Sequence, residues 1–166
     1  MFDDSLVILA ERVLNDARGK GLTIATAESC TGGLVASLLT DIPGSSDVVM
    51  GGAVTYSNQA KMDLLNVNPL TLETAGAVSD ETVLQMAKGA AKAYRADVTV
   101  SLSGVAGPTG GTATKPVGLV WVGLHYNGAQ KAFIHNFRGD RAAVRMQAVE
   151  AALTHIYEAL NPLELN

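Results

Sequence analysis

The chain has 166 residues, of which 48% are hydrophobic and 17% are charged. This apolar content is sufficient for the core of a single domain over residues 1–166, and it excludes intrinsic disorder as the main state. A net charge of −4 with 5% aromatic residues provides neither a basic nor a stacking surface, so no nucleic-acid partner is expected. The single cysteine, Cys30, excludes an internal disulfide and a zinc site built from cysteines.

No targeting or membrane segment is expected. The chain starts Met1-Phe2-Asp3-Asp4, which is acidic where a secretory signal is basic. The longest apolar stretch lies around residues 117–124, far below the roughly 18–20 residues that span a bilayer. These features predict a cytoplasmic protein without a membrane partner.

Apolar periodicity and Gly or Pro breaks divide the chain into alternating helices and strands. Helices are predicted over residues 3–20, 34–40, 58–65, a short segment from 69, 80–95 and 140–160. Strands are predicted over residues 22–27, 48–56, 97–102, 117–126 and 130–137. Ser57 and Ser79 are predicted helix caps, and Asn127-Gly128 predicts a hairpin between the last two strands. The pattern predicts an α/β fold with a mixed sheet that includes one hairpin.

The first candidate for chemistry is Ser29, which stands between a predicted strand and a predicted helix. A serine in this position lies at the carboxyl edge of a sheet, where α/β folds bind ligands. The N–H groups of the following residues, Cys30, Thr31, Gly32 and Gly33, are candidates to stabilise an oxyanion or to bind a phosphate. The alternative is an ordinary helix cap, and the segment alone favours capping.

The second candidate is the segment from Tyr56 to Lys61, where a predicted strand leads into a helix. A serine nucleophile needs a base, and a neutral lysine serves if burial lowers its pKa. The alternative is that Lys61 is an exposed lysine on an amphipathic helix, which is where most lysines lie.

The third candidate is the loop predicted over residues 103–116. Clustered glycines allow successive N–H groups to wrap an anion, whereas their spacing excludes a P-loop and a dinucleotide fingerprint. The alternative is a flexible loop, although loops of this length are more often functional. The candidate substrate-binding residues are Ser103, Gly104, Gly107, Gly110 and Gly111.

The fourth candidate is the pair Arg141 and Arg145 at the start of the last helix, since arginine suits phosphate or carboxylate. Here the alternative is a helix capped by Asp140 with both arginines solvated. The three histidines are expected not to cluster, which argues against a metal site and a Ser-His-Asp triad. His125 and His135 are expected to face each other across the hairpin.

Six segments in order along the chain resemble the CinA C-terminal domain family. They are TAESCTGG (26–33), VTYSNQAK (54–61), GAVS (76–79), SGVAGPTGG (103–111), KPVG (115–118) and RGDR (138–141). Any one of these motifs alone is weak, but six in the same order are specific. The resemblance extends from about Leu6 to Leu160.

The resemblance implies a three-layer α/β/α sandwich and an amidohydrolase that acts without metal or cofactor. The reaction it implies converts nicotinamide mononucleotide into nicotinic acid mononucleotide and ammonia. Carried over by motif, Ser29 is the nucleophile and Tyr56 and Lys61 complete the catalytic set; which of these two takes the serine proton stays open. Independently of the resemblance, the glycine-rich loop over residues 103–111 and Arg141 or Arg145 are the candidates to bind the substrate phosphate.

Two other functions remain as alternatives. One is a nucleotide-binding module without catalysis, and the other is an interaction protein associated with competence or DNA damage. Many relatives carry an additional N-terminal domain, and no activity of that domain is expected here. Dimers occur in the family, so a homodimer is allowed.

Overall fold

Five strands form one mixed sheet in the computed structural model, which describes residues 2–163. In chain order the strands are β1 (Ile24–Glu28), β2 (Val49–Val54), β3 (Val98–Gly104), β4 (Leu119–Tyr126) and β5 (Ala129–Asn136). The helices are α1 (Asp4–Gly19), α2 (Leu34–Asp41), α3 (Asn58–Leu65), α4 (Pro69–Thr74), α5 (Asp80–Tyr94) and α6 (Arg141–Leu160). A short 3-10 helix covers Ser45–Asp47.

The order of the strands in the sheet is β2-β1-β3-β4-β5. The first strand is central and pairs in parallel with β2 on one side and β3 on the other. The carboxyl ends of these three strands therefore meet at one edge of the sheet. The fourth strand is antiparallel to both β3 and β5, as the predicted mixed sheet with one hairpin requires.

The hairpin turns at Asn127 and Gly128, whose φ angles are 53° and 75°, as the predicted Asn-Gly turn requires. Its register pairs Tyr126 with Ala129, and consequently His125 with Gln130. The prediction that His125 faces His135 is therefore wrong, because His135 lies opposite Val120 near the other end of the strands.

The prediction of unclustered histidines is also wrong for one pair. The Nε2 atoms of His135 on β5 and His155 on α6 lie 2.9 Å apart, because α6 packs across the sheet. Among residues 2–163, no group of three or more His, Cys, Asp or Glu side chains is placed to hold a metal ion.

Helices cover both faces of the sheet, which confirms the three-layer α/β/α sandwich. The larger core lies between the sheet and α1, α2 and α6, where Val100, Leu102 and Val122 are fully buried. The smaller core lies on the opposite face against α3 and α5, around Ala27, Leu65 and Met86. Within residues 2–163 no helix is both long and apolar enough to cross a membrane.

Side chains cap the helices where the sequence predicts it. Ser57, Ser79 and Asp140 each accept a hydrogen bond from the backbone N–H three residues further on. The second helix differs, because its N-cap is Gly33 with φ at 98° and without a capping side chain of its own. The alternative that Ser29 serves as the cap of this helix is thus wrong, which leaves the serine hydroxyl available for other contacts.

Candidate active site

The chemistry-bearing residues meet at the carboxyl edge of the three parallel strands. Ser29 directly follows β1, Tyr56 follows β2, and Ser103 is the last residue but one of β3. The chain crosses from β1 to β2 through α2 on one face and from β2 to β3 through α3 and α5 on the other. This reversal makes the edge a topological switch point, where open α/β sheets bind ligands.

Lys61 of α3 is buried beside Ser29. Its side chain is 1% exposed, and its Nζ lies 3.0 Å from Ser29 Oγ, 2.8 Å from the carbonyl oxygen of Thr55 and 3.3 Å from that of Tyr56. Burial lowers the pKa of the Lys61 ammonium from its ordinary value of 10.5, because the charged form loses hydration. The alternative of an exposed surface lysine is wrong.

The surroundings of Lys61 Nζ determine what the amine does when it is neutral. A neutral amine has two N–H donors and one lone pair, and the carbonyl oxygens of Thr55 and Tyr56 accept the two donors. The lone pair is then left for the Ser29 hydroxyl, 3.0 Å away. In that state the arrangement is chemically suited to general-base catalysis.

Cys30 follows Ser29 but is unsuited to act as a nucleophile. The thiol is 7% exposed, and burial raises its pKa to about 11. Because the thiolate is the reactive form, a thiol that is neutral at physiological pH is a poor nucleophile.

Glu28, which the sequence analysis gave no role, organises the turn that carries Ser29. Its carboxylate is fully buried and accepts hydrogen bonds from the Thr31 hydroxyl and from the backbone N–H groups of Gly33, Val35 and Ala36. The N-terminus of α2 is thus occupied by the protein's own anion and is not a phosphate site. An acidic residue at the end of a buried strand was the signal that could have revealed it.

Hydrogen bonds within the turn reduce the number of backbone N–H groups that could serve as the predicted oxyanion donors. The N–H of Gly32 donates to the Ser29 carbonyl and that of Gly33 to Glu28. Among residues 2–163, the N–H groups of Cys30 and Thr31 have no acceptor. Because Thr31 is fully buried, the Cys30 N–H is the donor of the turn that remains within reach of an oxyanion.

The two arginines predicted to bind substrate have different surroundings. Arg145 donates from Nε to the Cys30 carbonyl and from Nη2 to the Thr31 carbonyl. These two hydrogen bonds attach the turn after β1 to α6. Arg141 lies at the mouth of the site and donates to the Gly107 carbonyl and to the Tyr56 hydroxyl.

A cavity of ≈ 210 Å³ opens at this edge of the sheet. Seven predicted site residues line it: Ser29, Cys30, Tyr56, Lys61, Ser103, Gly104 and Arg141. Seven others lie outside its lining: Thr31, Gly32, Gly33, Gly107, Gly110, Gly111 and Arg145. The predicted catalytic residues and one predicted arginine are therefore brought together, whereas most of the glycine-rich loop is not.

Comparison with known proteins assigns the family. The sequence profile described as "CinA C-terminal domain" matches residues 7–160. This chain belongs to the CinA C-terminal domain family.

This chain matches some members of the CinA family over nearly their whole length and others over only part of it. A CinA-like protein of Kosmotoga olearia is 50% identical over 93% of this chain, which spans 38% of that relative. A protein of Shigella flexneri named nicotinamide-nucleotide amidohydrolase PncC is 48% identical over 95% of this chain and 96% of its own length. The crystal structure of competence/damage inducible protein CihA from Agrobacterium tumefaciens has a TM-score of 0.93 at 46% identity, covering 97% of this chain and 98% of that one.

The CinA fold also brings residues into the cavity that the sequence analysis did not single out. They are Asn58, Ala77, Val78 and Ala106. Each lies inside or beside one of the six motifs, and this proximity was the available signal. The segment of Ala77 and Val78 is tied to the glycine-rich loop by Lys115, whose Nζ donates to the Ala75 carbonyl at 2.6 Å.

Proposed function

We propose that this chain is an amidohydrolase that converts nicotinamide mononucleotide into nicotinic acid mononucleotide and ammonia. The observation that carries the proposal is the buried Lys61 amine, 3.0 Å from Ser29 Oγ and held by two backbone carbonyls. The name of the Shigella relative, which matches this chain over almost its whole length, supports the choice of substrate. No step of the reaction requires a metal or cofactor.

In the first half of the reaction, Ser29 Oγ attacks the carboxamide carbon while its proton moves to Lys61 Nζ. The negative charge that develops on the carbonyl oxygen is stabilised by the N–H group of Cys30, which lines the cavity. Lys61, now an ammonium, gives its proton to the amide nitrogen, the C–N bond breaks, and ammonia leaves. The product of this half is an ester between Ser29 and the nicotinoyl group.

In the second half, a water molecule gives a proton to neutral Lys61 and attacks the ester carbon. The tetrahedral intermediate collapses, the bond to Ser29 Oγ breaks, and Lys61 returns the proton to the serine. The nicotinic acid nucleotide is released and the starting state of Ser29 and Lys61 is regenerated.

Tyr56 has a different part in this proposal. Its side chain is 62% exposed, and its hydroxyl accepts a hydrogen bond from Arg141 at 3.1 Å. The proposal therefore gives the serine proton to Lys61, and it places Tyr56 at the mouth as a substrate-contacting side chain.

The rest of the nucleotide is assigned to the mouth of the cavity. The volume of ≈ 210 Å³ is below the range of about 300–1,000 Å³ that holds drug-sized ligands, so the cavity takes the carboxamide end. A neighbouring cleft shares Ala106 and Arg141 with the cavity and continues past Pro108 and Val117. Arg141 is thus the cation placed to meet a phosphate.

The test measures ammonia release from nicotinamide mononucleotide by the purified protein and by a Ser29→Ala variant. We expect turnover by the native chain and a loss of at least about a thousandfold in the variant. Ser37→Ala removes an exposed serine of α2 and is expected to retain full activity. Equal rates of ammonia release with and without the Ser29 hydroxyl would overturn the mechanism.

A further inference from the structure

Strand β3 carries a row of hydroxyl side chains on its face toward α5. Thr99 Oγ1 donates to the Ala87 carbonyl and Ser101 Oγ to the Val83 carbonyl, each at 2.6 Å. The two acceptors are four residues apart on α5, about one helical turn. Each of these buried hydroxyls is therefore satisfied by the helix that covers it.

Ser103 is the next residue of this row and lacks such a partner. The helix begins at Asp80, so the row runs past its first turn, and Ser103 lines the catalytic cavity instead. The residue is 2% exposed, and within residues 2–163 its hydroxyl makes no hydrogen bond. A buried hydroxyl without a protein partner at the wall of a cavity is a group available to a ligand.

Ser103 is also the neighbour of Ser29 in the sheet. The parallel register pairs Glu28 with Leu102, and the Ser29 N–H donates to the Leu102 carbonyl at 3.0 Å. Glu28 and Leu102 face α2 and the larger core, so Ser29 and Ser103 come next and face the opposite side. That side carries Lys61 on α3.

We propose that the Ser103 hydroxyl accepts a hydrogen bond from the amide nitrogen of the substrate and makes the site selective for primary amides over esters. The proposal rests on the function proposed above. With the substrate oxygen directed at the N–H group of Cys30, the nitrogen lies on the other side of the reacting carbon. Ser103 is the free hydroxyl there, and an amide has N–H donors that an ester lacks.

The experiment compares Ser103→Ala with the native chain on two substrates, nicotinamide mononucleotide and the methyl ester of nicotinic acid mononucleotide. We expect kcat/KM for the amide to fall about tenfold, as the loss of one hydrogen bond implies, and kcat/KM for the ester to change less than about twofold. Ser103→Thr keeps the hydroxyl and is expected to restore most of the preference. Ser101→Ala removes the neighbouring, satisfied hydroxyl and is expected to keep the amide-to-ester ratio.

Equal losses on amide and ester, or no loss on the amide, would overturn the assignment of Ser103. A binding measurement separates this outcome from failure of the proposed function. In a Ser29→Ala background, calorimetry with nicotinamide mononucleotide is expected to show about tenfold weaker binding when Ser103→Ala is added; an unchanged Kd contradicts the inference. A wild-type chain that binds this nucleotide through Ser103 but releases no ammonia would contradict the hydrolysis alone. Absence of both binding and ammonia would overturn both proposals.

Discussion

Lys61 is the residue on which the proposed chemistry depends, because the same burial that destabilises its ammonium form makes it a base. In the proposed mechanism neutral Lys61 is the reactive form, and the pKa of Lys61 is lowered below 10.5 by desolvation. We therefore predict that kcat/KM rises with pH and levels off above the lowered pKa. The measurement is a pH profile of ammonia release.

A Lys61→Arg variant keeps a positive charge at this position but removes the group that can accept a proton. A guanidinium keeps donors for the Thr55 and Tyr56 carbonyls but does not deprotonate in proteins. Lys61→Arg is expected to lower kcat/KM by about 10²–10⁴-fold, the usual contribution of a general base, and to remove the rising limb. Lys88→Arg, on the exposed side of α5, is the matched control. A Lys61→Arg variant with the native pH profile would show that another group takes the proton.

Cys30 provides a second prediction at this scale. The pKa of Cys30 is raised to about 11. At about pH 8 its thiolate fraction is therefore lower, by roughly a hundredfold or more, than that of a free cysteine with a pKa of about 8.5. Iodoacetamide labelling followed by mass spectrometry is expected to be slower by at least this factor in the folded chain than in urea. Fast labelling of the folded chain would contradict the buried, neutral thiol.

At the residue scale, the sequence singled out Ser29 and Lys61, which the structure brings into contact, but not their environment. Motif position singles out both residues, whereas the lowered pKa of Lys61 depends on burial that only the folded chain creates. Glu28 was missed for the same reason. Its carboxylate binds N–H groups five to eight residues away, which requires the geometry of the turn.

At the scale of elements, the turn between β1 and α2 is held from both sides. Glu28 binds its N–H groups and Arg145 of α6 binds its carbonyls. Charge-assisted hydrogen bonds of this kind are stronger than neutral ones, and four of them converge on a fully buried carboxylate. The placement of Ser29, the proposed nucleophile, therefore depends on Glu28, which lies outside the cavity lining.

We predict that Glu28→Gln destabilises the fold by about 2–4 kcal/mol, because an amide offers one acceptor oxygen and leaves buried N–H groups unpaired. Activity is expected to fall as the turn shifts. Urea denaturation followed by circular dichroism measures the first effect and ammonia release the second. Asp3→Asn is the matched control, since Asp3 caps α1 with an exposed carboxylate and asparagine is also a good cap. Equal stability of the Glu28→Gln and native chains would contradict this role.

The elements themselves were largely predictable, because their signals are local. Ser57, Ser79 and Asp140 begin helices where a capping residue precedes an apolar pattern, and Asn127-Gly128 allows positive φ at both positions of the turn. The second helix was also predicted, but its cap was not, because its N-cap Gly33 has no capping side chain. The Glu28 carboxylate at the end of the preceding strand accepts its N–H groups instead.

At the scale of the whole molecule, strand order was not predictable from local patterns. Placing β1 between β2 and β3 is what brings Ser29, Tyr56 and Ser103 to one edge, and this arrangement follows from long-range packing. The pairing of His135 with His155 has the same origin, since it joins β5 to α6 across 20 residues.

This histidine pair makes the stability of the molecule depend on pH. Burial lowers the pKa of His135 from 6.5, and burial followed by the proximity of His135 lowers that of His155, against the opposing effect of Glu158. Below about pH 6.5 the unfolded chain binds protons at these positions that the folded chain does not, so stability falls as the pH decreases toward the lowered pKa values. Asp3 and Asp47, whose pKa values are lowered below 3.8, titrate outside this window.

We therefore predict that the urea midpoint decreases between about pH 7.5 and about pH 5.5, with stability greatest at the upper end. Protonation of both rings places two cations at the 2.9 Å contact between their Nε2 atoms, which opens the packing of β5 against α6. The double variant His135→Gln/His155→Gln removes both titrating groups and is expected to show a much flatter profile over the same range. A double variant that loses stability as steeply as the native chain would show that the pH dependence arises elsewhere in the fold.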